Sequence, residues 1–594
     1  MNDTERLNRE LGTGEVLWNL DDLYSGPDSE AFRQDCSRCE QEARAISESY
    51  RGRVKHLSAI ELLELVTRLE GLESLIGRLA TYAFLQFTTR VDNAAAGALQ
   101  QKIHELADRC SGELVFFELE WNKVSKKQAR QRLADDALTP YRHYLSSLRR
   151  YRPHQLKEVE EKLLIELRSV GRSSWNTLFD KIIGTMRFGE RGRTEEEVLS
   201  DLYHADREVR RQAADDLTAG LKSQSHILTH IFNTLAADKM ISDRLRRYPD
   251  WISARNLDNQ VDDATVATLV DTVSGRYDLV ARYYRLKAGL LGLDSLVDYD
   301  RYAPLPALPT ISIDWESCRD IVLDSFTGFS PKLGDIAARF FDRRWIHAPL
   351  LAGKRGGAFA HPCTPDVHPY VLVNYAGTLR DVSTVAHELG HGVHQVLAAE
   401  RGYYNSDTPL VLAETASVFA ELLVFKAQLA LLDSPEQRRA FICQKLESIF
   451  ATVFRQVAMN RFEKLLHEGR RQRGELSSEE LGECWLQTQQ EMFGDSVELR
   501  DDYRIWWSYI PHFLSTPGYV YAYAFGELLV LALYNRYLQQ GAPFIDAYLE
   551  LLAAGGSATP VELLKGFAID LDDPSFWNQG LQVIDGLLME VEQG

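Results

Sequence analysis

A short motif near the middle of the chain contains residue types that bind metal ions and transfer protons. His387, Glu388 and His391 form the pattern H-E-x-x-H within an amphipathic stretch. On a helix, residues four apart lie on one face, so both imidazoles can reach one metal ion while Glu388 lies beside them as a general base. The pattern predicts the site of a zinc hydrolase.

A catalytic zinc ion needs a third protein ligand. After a loop, a second apolar stretch from Leu410 to Phe425 carries Glu414. We take Glu414 as the third ligand and expect one Zn²⁺ per chain. Glu421 lies on the same helical face and is expected to hydrogen-bond a ligand imidazole. The ligand types alone leave cobalt and manganese open as the working metal.

The residues around the motif predict the helix that must position it. Cap-type residues and a first-turn acid occur within 381–384, apolar residues give the helix a buried side, and Gly402 is a plausible end. Gly390 and Gly392 lie inside this helix, where each costs about 1 kcal/mol relative to Ala. We expect such a cost where another group approaches the backbone closely.

The segment before this helix is rich in Gly and Pro and then becomes apolar, which predicts a strand from Tyr370 to Tyr375. A strand at this place could present a free edge to which an extended peptide adds by backbone hydrogen bonds. We therefore expect Asn374, Tyr375 and Ala376 to contribute to a substrate cleft. The alternative is an ordinary hairpin in the core.

A second candidate segment runs from Tyr509 to Leu529. It places His512 near three tyrosines, Tyr519, Tyr521 and Tyr523. Phenol and imidazole groups can stabilise the oxyanion that forms when a peptide bond is hydrolysed. An aromatic-rich helix start is also typical of a packed core, and the residues alone leave both interpretations open.

The composition argues against several other classes of protein. The 594 residues carry a formal net charge of −19, whereas nucleic acids and anionic membranes both require a basic face. We expect peptide substrates, no nucleic-acid or membrane partner and no obligate protein partner. The seven scattered cysteines favour reduced thiols, and there is no N-terminal signal core or apolar run that could span a bilayer, so we expect a cytoplasmic protein.

Apolar residues recur at helical spacing through most of the chain, with few Gly or Pro interruptions. Thr194 and Glu197 form a capping-box pattern at one helix start. The proline-spaced run from Tyr302 to Thr310 is expected to be a linker or an extended crossing. Periodicity therefore predicts a largely helical protein with its metal site on one of the helices.

Five stretches together resemble the oligoendopeptidase F branch of the thimet oligopeptidase family, cytosolic zinc metallopeptidases that cut short peptides. They are WNLDDLY, KRGGAF, YVLVNYAGTLRDVSTVAHELGHGVHQ, LAETASVFAE and PHFLSTPGYVYAYAFGELL, spread over residues 18–529. The resemblance implies a mainly α fold in which two helical lobes flank a deep substrate channel, with a small β-sheet beside the zinc-binding helix. It also implies an N-terminal helical lobe at 1–115, a small helical subdomain at 116–200 and a catalytic domain at 201–594.

Carried over residue by residue, the resemblance implies three zinc ligands, a general base and a pair of groups that stabilise the transition state or bind substrate. The implied zinc ligands are His387, His391 and Glu414. The implied general base is Glu388, and the implied pair is His512 and Tyr519. Because His512 and Tyr519 are farther apart here than in better-known relatives, Tyr521 or Tyr523 is an alternative phenol. The implied activity is a zinc-dependent endopeptidase that cuts internal bonds of short oligopeptides.

Two other functions remain open at this point. A zinc exopeptidase on a similar helical scaffold, either a dipeptidyl carboxypeptidase or a metallocarboxypeptidase, would need a group near the metal that captures the substrate carboxylate. The other is a non-catalytic peptide-binding scaffold. The intact His387, Glu388, His391 and Glu414 argue against the scaffold.

Overall fold

The structure, a computed structural model, describes residues 3–168, 170–307 and 311–593. The chain divides into two compact units, each assembled from three separate stretches. Unit 1 comprises Met1–Glu158, Thr310–Leu431 and Arg536–Ala568, and unit 2 comprises Val159–Pro309, Leu432–Asn535 and Ile569–Gly594. The expected mainly α fold with a small sheet is confirmed. The expected linker at 302–310 lies partly outside the described residues.

Unit 1 consists largely of amphipathic helices with capped starts. Ala59–Thr88, for example, begins at a capping box between Ser58 and Glu61, and it buries Leu62 and Leu69 at helical spacing. The α-helices described within unit 1 are Asp3–Glu10, Glu30–Tyr50, Ala59–Thr88, Ala94–Leu114, Phe116–Lys123, Lys126–Leu133, Arg142–Leu148, Trp315–Phe329, Pro331–Asp342, Leu379–Ala398, Tyr403–Ser406, Leu410–Ala430, Ala542–Ala554 and Pro560–Leu564. Its 3₁₀ turns are Val54–His56, Asp136–Tyr141, Arg149–His154, Ala399–Arg401 and Lys565–Phe567.

Unit 2 is also helical and has an aromatic core that includes Phe232, Trp485 and Trp507. The capping box predicted for Thr194 and Glu197 is confirmed. The α-helices described within unit 2 are Arg172–Thr185, Glu195–Asp201, Arg207–Ser223, Ser225–Arg246, Ser253–Asp258, Asp263–Ser274, Asp278–Leu290, Pro435–Thr452, Phe454–Arg473, Ser478–Phe493, His512–Ser515 and Pro574–Gln593, with 3₁₀ turns at Asp298–Asp300 and Asp501–Tyr509.

Two further helices, Glu158–Arg168 and Tyr521–Gln540, contain residues assigned to both units. Their bounds complete the set of helices in the described part of the chain. None of the described helices combines the length and the apolar character needed to cross a bilayer.

The strands are short and belong to two small sheets. They are β1 (Leu296–Val297), β2 (Ile346–His347), β3 (Phe359–His361), β4 (Tyr370–Leu372) and β5 (Val497–Glu498). In unit 2, β1 pairs in parallel with β5. In unit 1 the order is β2-β4-β3, with β4 parallel to β2 and antiparallel to β3. Because the helix that carries H-E-x-x-H begins seven residues after β4, this sheet lies directly before the metal motif in the chain.

The prediction that the strand before this helix has a free edge was wrong. That strand, β4, spans only Tyr370–Leu372 and is the central strand, so both of its edges are already paired. The edge strand on the antiparallel side is β3. Sequence periodicity could not show this, because strand order depends on β2 and β3, which are separated from β4 along the chain.

A buried acid in unit 2, Asp300, is held by two arginines. Its carboxylate accepts hydrogen bonds from Arg207 Nη2 at 2.7 Å and from Arg210 Nη2 at 2.9 Å. Both Asp300 and Arg210 are buried. Burial favours the neutral acid, but the hydrogen bonds from Arg207, Arg210 and the Val297 amide outweigh it and lower the pKa of Asp300.

We expect Asp300→Asn to lower the free energy of unfolding by about 3 kcal/mol, because Arg210 would be left buried without its counter-charge. The folded-state pKa of Asp300 lies below the unfolded value, so its contribution is fully present above about pH 4 and is lost as the pH falls through the folded-state pKa. Denaturant titrations at pH 7 and at lower pH measure both effects.

The matched control is Asp501→Asn in the same unit. Asp501 pairs with Arg504, but its side chain is 82% exposed, so its loss should change the free energy of unfolding by less than about 0.5 kcal/mol. Equal effects of the two substitutions would contradict the argument from burial.

Candidate active site

The helix that carries H-E-x-x-H, here called the HExxH helix, is Leu379–Ala398. Its N-cap is Thr378, whose hydroxyl accepts a hydrogen bond from the Asp381 amide, while the Asp381 carboxylate accepts one from the Thr378 amide at 2.9 Å. This capping box fixes where the helix starts and therefore which residues share its inner face. The cap-type residues expected within 381–384 thus lie inside the helix, with Asp381 as its first-turn acid.

The two glycines of the HExxH helix lie where other groups come close to its backbone. A Cβ atom on Gly390 would lie 2.6 Å from the carbonyl oxygen of Ala416, and one on Gly392 would lie 2.6 Å from the ring of Phe340. Ala416 belongs to Leu410–Ala430, here called the acidic helix. Gly390 therefore lets the backbones of the HExxH helix and the acidic helix approach closely enough for side chains of both to meet.

The three predicted metal ligands meet between these two helices. Glu414 Oε2 lies 3.4 Å from His387 Nε2 and 3.5 Å from His391 Nε2. Among the described residues, these three form the group of His, Cys or acidic side chains whose ligand atoms all lie within 4.8 Å of one another. Two imidazole nitrogens and one carboxylate oxygen are a donor set suited to zinc, so the residues present fit that ion.

Two neighbours hold the side chains of the predicted ligands His387 and Glu414 in place. Glu421 Oε2 lies 3.4 Å from His387 Nδ1, as predicted for a residue on the same face of the acidic helix. Ser417 Oγ donates a hydrogen bond to Glu414 Oε2 at 2.7 Å. These contacts direct His387 Nε2 and the Glu414 carboxylate toward each other. Sequence reasoning missed Ser417, although its position three residues after Glu414 on a helix was a usable signal.

Burial and neighbouring charges set the proton affinities in this group. Burial raises the pKa of Glu388 to about 7, although His387 opposes the shift. Burial alone would lower the pKa of His387, but the hydrogen bond to Glu421 and the charge of Glu414 raise it to about 9. Burial lowers the pKa of His391 to about 4. A carboxyl group with a pKa near neutrality is suited to take up and release a proton.

The edge strand β3 presents backbone groups to the HExxH helix. The Ala360 amide faces the Glu388 carboxyl and lowers its pKa, and the Ala360 carbonyl accepts a hydrogen bond from Gln395 Nε2 at 3.4 Å. Ala360 lies opposite Val371 of β4, yet both of its backbone polar groups are directed at the helix. Sequence reasoning missed Ala360, because the three-residue strand is too short for an alternation signal.

The residues that follow β4 serve mainly as internal supports. Asn374 Nδ2 donates hydrogen bonds to two backbone carbonyls of the Lys354–Gly357 loop, at 3.0 and 2.8 Å. Tyr375 is buried, and its hydroxyl donates to a backbone carbonyl at 2.8 Å. The Ala376 amide donates to Asp381 at 3.2 Å. The side-chain donors of Asn374 and Tyr375 are therefore already engaged in hydrogen bonds within the protein.

The aromatic segment in unit 2 brings three predicted residues together. The rings of His512 and Tyr519 are nearly parallel, with centroids 6.3 Å apart, and the centroids of Tyr519 and Tyr523 are 4.9 Å apart. All three side chains are partly exposed. Tyr521 instead points into the core of unit 2, where its hydroxyl accepts a hydrogen bond from Asn259 Nδ2 at 2.8 Å.

Known families match two parts of the chain. Residues 332–583 match the family described as Peptidase family M3, and residues 120–188 match the family described as Oligopeptidase F. The first match contains the HExxH helix, the acidic helix and the aromatic segment. The first match therefore covers all of the residues predicted for the active site.

Individual relatives extend the likeness to nearly the whole chain. Oligopeptidase PepF of Bacillus subtilis is 27% identical over 98% of this chain and 88% of that protein. An oligoendopeptidase F homolog of Lactococcus lactis is 25% identical over 99% of this chain and 98% of that protein. The crystal structure of oligoendopeptidase-F from Enterococcus faecium shares the fold, with a TM-score of 0.73, 22% identity and coverage of 95% of this chain and 98% of that chain.

The helical fold, the His-His-Glu group and the two family matches define the class of this protein, which is a metalloendopeptidase. The chain belongs to peptidase family M3. The resemblance to its oligoendopeptidase F branch, inferred from the five sequence stretches, is confirmed.

Proposed function

We propose that this enzyme uses one zinc ion per chain to hydrolyse internal peptide bonds of short oligopeptides. The observation that carries the proposal is the convergence of His387, His391 and Glu414, with Glu388 on the same helical turn as the two imidazoles. Three ligands leave a position for a reacting group, as catalytic zinc requires. The relatives named as oligopeptidases and oligoendopeptidases support peptides as the substrate class.

Each nearby side chain has a defined task in this proposal. His387, His391 and Glu414 would hold the zinc ion, which would supply Lewis-acid chemistry for the scissile carbonyl and for the attacking water near neutral pH. Glu388 accepts the proton of the attacking water on its carboxylate and passes it to the leaving amine. Glu421 keeps His387 oriented through Nδ1, and Ser417 keeps the Glu414 carboxylate in place.

Substrate recognition is proposed to involve the backbone around the sheet. The backbone amide and carbonyl of Ala360 in β3 face Glu388 and Gln395 of the HExxH helix, and an extended peptide bound there would replace these contacts with its own backbone hydrogen bonds. Asn374 would contribute by holding the loop before β3, Tyr375 through its hydrogen bond to the Ile313 carbonyl, and Ala376 by holding the start of the HExxH helix.

His512 and Tyr519 are proposed to stabilise the oxyanion of the tetrahedral intermediate. Burial and the charge of Arg455 lower the pKa of His512, so its imidazole is neutral at pH 7 and can donate one N–H. Tyr523 lies beside Tyr519 and is the alternative phenol, whereas the Tyr521 hydroxyl is already engaged in the core of unit 2.

We also propose that the enzyme works in the cytoplasm. All seven cysteines are free thiols, which suits a reducing compartment. Cys39 and Cys110 are buried in the core of unit 1, and burial raises the pKa of both. A raised pKa lowers the fraction of reactive thiolate, which favours a packing role for both residues.

The proposed function is tested with an internally quenched peptide of about eight residues that is blocked at both ends. We expect cleavage at an internal bond, complete loss of cleavage with a chelator and recovery on addition of zinc, because the blocked ends remove the charged termini that an exopeptidase needs. The measurement is fluorescence release with mass analysis of the products.

Two outcomes would contradict the proposal. Trimming of free-ended peptides alone would identify an exopeptidase, either a dipeptidyl carboxypeptidase or a metallocarboxypeptidase. Absence of any cleavage by zinc-loaded protein would identify a peptide-binding scaffold. Recovery with cobalt or manganese but not with zinc would replace only the proposed metal.

A further inference from the structure

The segment that carries His512 and Tyr519 contains a tight turn. The Tyr519 amide donates a hydrogen bond to the Thr516 carbonyl at 3.3 Å, which closes a four-residue turn with Pro517 and Gly518 in the middle. Gly518 has φ of +76°, as the third residue of a type II turn requires. In such a turn the amide of the third residue has no acceptor within the turn itself, so the Gly518 amide needs a partner elsewhere.

That partner is a buried carboxyl group, Glu463 of the helix Phe454–Arg473. Glu463 Oε1 accepts a hydrogen bond from the Gly518 amide at 2.8 Å, and both residues are buried. The other carboxyl oxygen, Oε2, has no hydrogen-bond partner among the described residues. Burying a carboxyl group costs free energy unless the group is hydrogen-bonded. The hydrogen bond from the Gly518 amide therefore accounts for the burial of Glu463 in the core of unit 2.

The turn is also packed against a second element of unit 2. A Cβ atom on Gly518 would lie 3.4 to 3.5 Å from side chains of Trp251, Ile252 and Arg255, which is ordinary van der Waals contact. The Trp251 ring stacks on His467, with centroids 5.1 Å apart, and His467 lies one helical turn after Glu463. The helix Phe454–Arg473 therefore fixes the turn both directly, through Glu463, and indirectly, through Trp251.

We infer that Glu463 is a positioning residue for the reaction, holding the Gly518 amide so that the ring of Tyr519 is fixed beside His512. This inference rests on the proposed role of His512 and Tyr519 in the reaction. Tyr519 follows Gly518 directly, so a rotation of the Gly518 peptide would move the Tyr519 ring away from His512 and Tyr523. Misplacement of a reacting group by about 1 Å can lower a rate by roughly a hundredfold.

The function of Glu463 requires an acceptor oxygen and not a negative charge. Burial raises the pKa of Glu463 to about 8, although the Gly518 amide, Lys239 and Arg255 oppose the shift, so the group is largely neutral at pH 7. Gln has the same length and offers a carbonyl oxygen to the Gly518 amide. Met has a similar length but no oxygen, and Asp keeps the carboxyl group but is one methylene too short.

The test compares Glu463→Gln, Glu463→Met and the control Glu468→Gln, a partly exposed residue on the same helix. We expect kcat of the Gln variant to stay within about threefold of the unchanged enzyme and kcat of the Met variant to fall about 10-fold to 100-fold with little change in KM. Amide hydrogen exchange in residues 512–523 should accelerate in the Met variant only. If the Met variant does not fold, Glu463→Asp takes its place with the same expectations.

Specific results would overturn the inference. Unchanged kcat and unchanged exchange in the Met variant would show that the carboxyl group does not hold the turn, and a Gln variant as impaired as the Met variant would show that an acceptor oxygen is not what is needed. The kcat values of Tyr519→Phe and His512→Asn distinguish a failure of the Glu463 inference from a failure of the proposed function. Normal rates in both of those variants would refute the role of the aromatic segment, while the exchange experiment would still decide whether Glu463 holds the turn.

Discussion

Glu388→Gln is expected to lower kcat by about a hundredfold to ten-thousandfold and to leave metal binding unchanged. Gln has the size of Glu but cannot take a proton from water, and removal of a general base typically costs about 10² to 10⁴ in rate. Glu388 is not one of the three side chains whose ligand atoms converge, so the metal site should remain intact. Turnover of the blocked peptide and zinc content per chain are the two measurements.

The matched control for this prediction is Glu400→Gln. Glu400 lies just beyond the HExxH helix and is exposed, so the same change of carboxylate to amide should leave kcat within about twofold. A Glu388→Gln enzyme with a near-normal rate would remove Glu388 from the mechanism. Equal losses in both variants would point to a general effect of charge.

The grouping of His387, His391 and Glu414 was predictable from sequence because most of its geometry is local. Positions four apart on a helix fix the relation between His387 and His391, and the capping residues around Asp381 fix the start of that helix. Gly390 was also informative, since a residue that is unfavourable inside a helix indicated that another group approaches the helix backbone closely there. The contact with Glu414 is not local, but the acidic helix follows in the chain after only a short loop.

The sheet beside the site was predicted less well, because its pairing is not local. The apolar stretch after Pro369 correctly indicated a strand, but its position at the centre of the sheet depends on β2, with which it pairs in parallel. A parallel pair always requires a connection that returns the chain to the same side. No pattern within Tyr370–Tyr375 records that connection, and so the free edge was assigned to β4 instead of β3.

The aromatic segment shows a different limit of sequence analysis. Tyr519, Tyr521 and Tyr523 look equivalent in the sequence, yet Tyr521 is buried in the core of unit 2 and the other two are partly exposed. The start of the helix Tyr521–Gln540 decides which ring points inward. Glu463 was missed for the same reason, since an acid on a helix usually contacts solvent and only the distant Gly518 amide accounts for its burial.

The division of the chain into larger parts has no local signal. Each unit combines three stretches that are far apart in sequence, so composition and periodicity do not mark where the chain leaves one unit and later returns. The boundaries expected at 1–115, 116–200 and 201–594 describe consecutive segments of the chain and stay a prediction. Limited proteolysis followed by mass analysis would locate the exposed connections that such boundaries require.

Glu414→Ala is expected to abolish detectable turnover and to lower the bound zinc from about one per chain to a small fraction. The Glu414 carboxylate is the acidic member of the proposed ligand group and lies within 3.5 Å of both imidazole Nε2 atoms, so its removal leaves only two imidazole nitrogens as donors. Zinc content after dialysis and kcat with the blocked peptide measure the two effects. Added zinc at high concentration should restore little activity.

The matched control for the metal site is Glu421→Gln, on the same helix and the same face. Glu421 contacts His387 through Nδ1 and not through Nε2, the proposed ligand atom, so its loss should weaken zinc binding by only about 10-fold to 100-fold, and excess zinc should restore activity. Full zinc occupancy in Glu414→Ala would show that Glu414 is not a ligand. Equally severe loss of zinc in both variants would mean that Glu421 is as important for zinc binding as Glu414. The assignment of Glu414 as ligand and Glu421 as supporting residue would then be wrong.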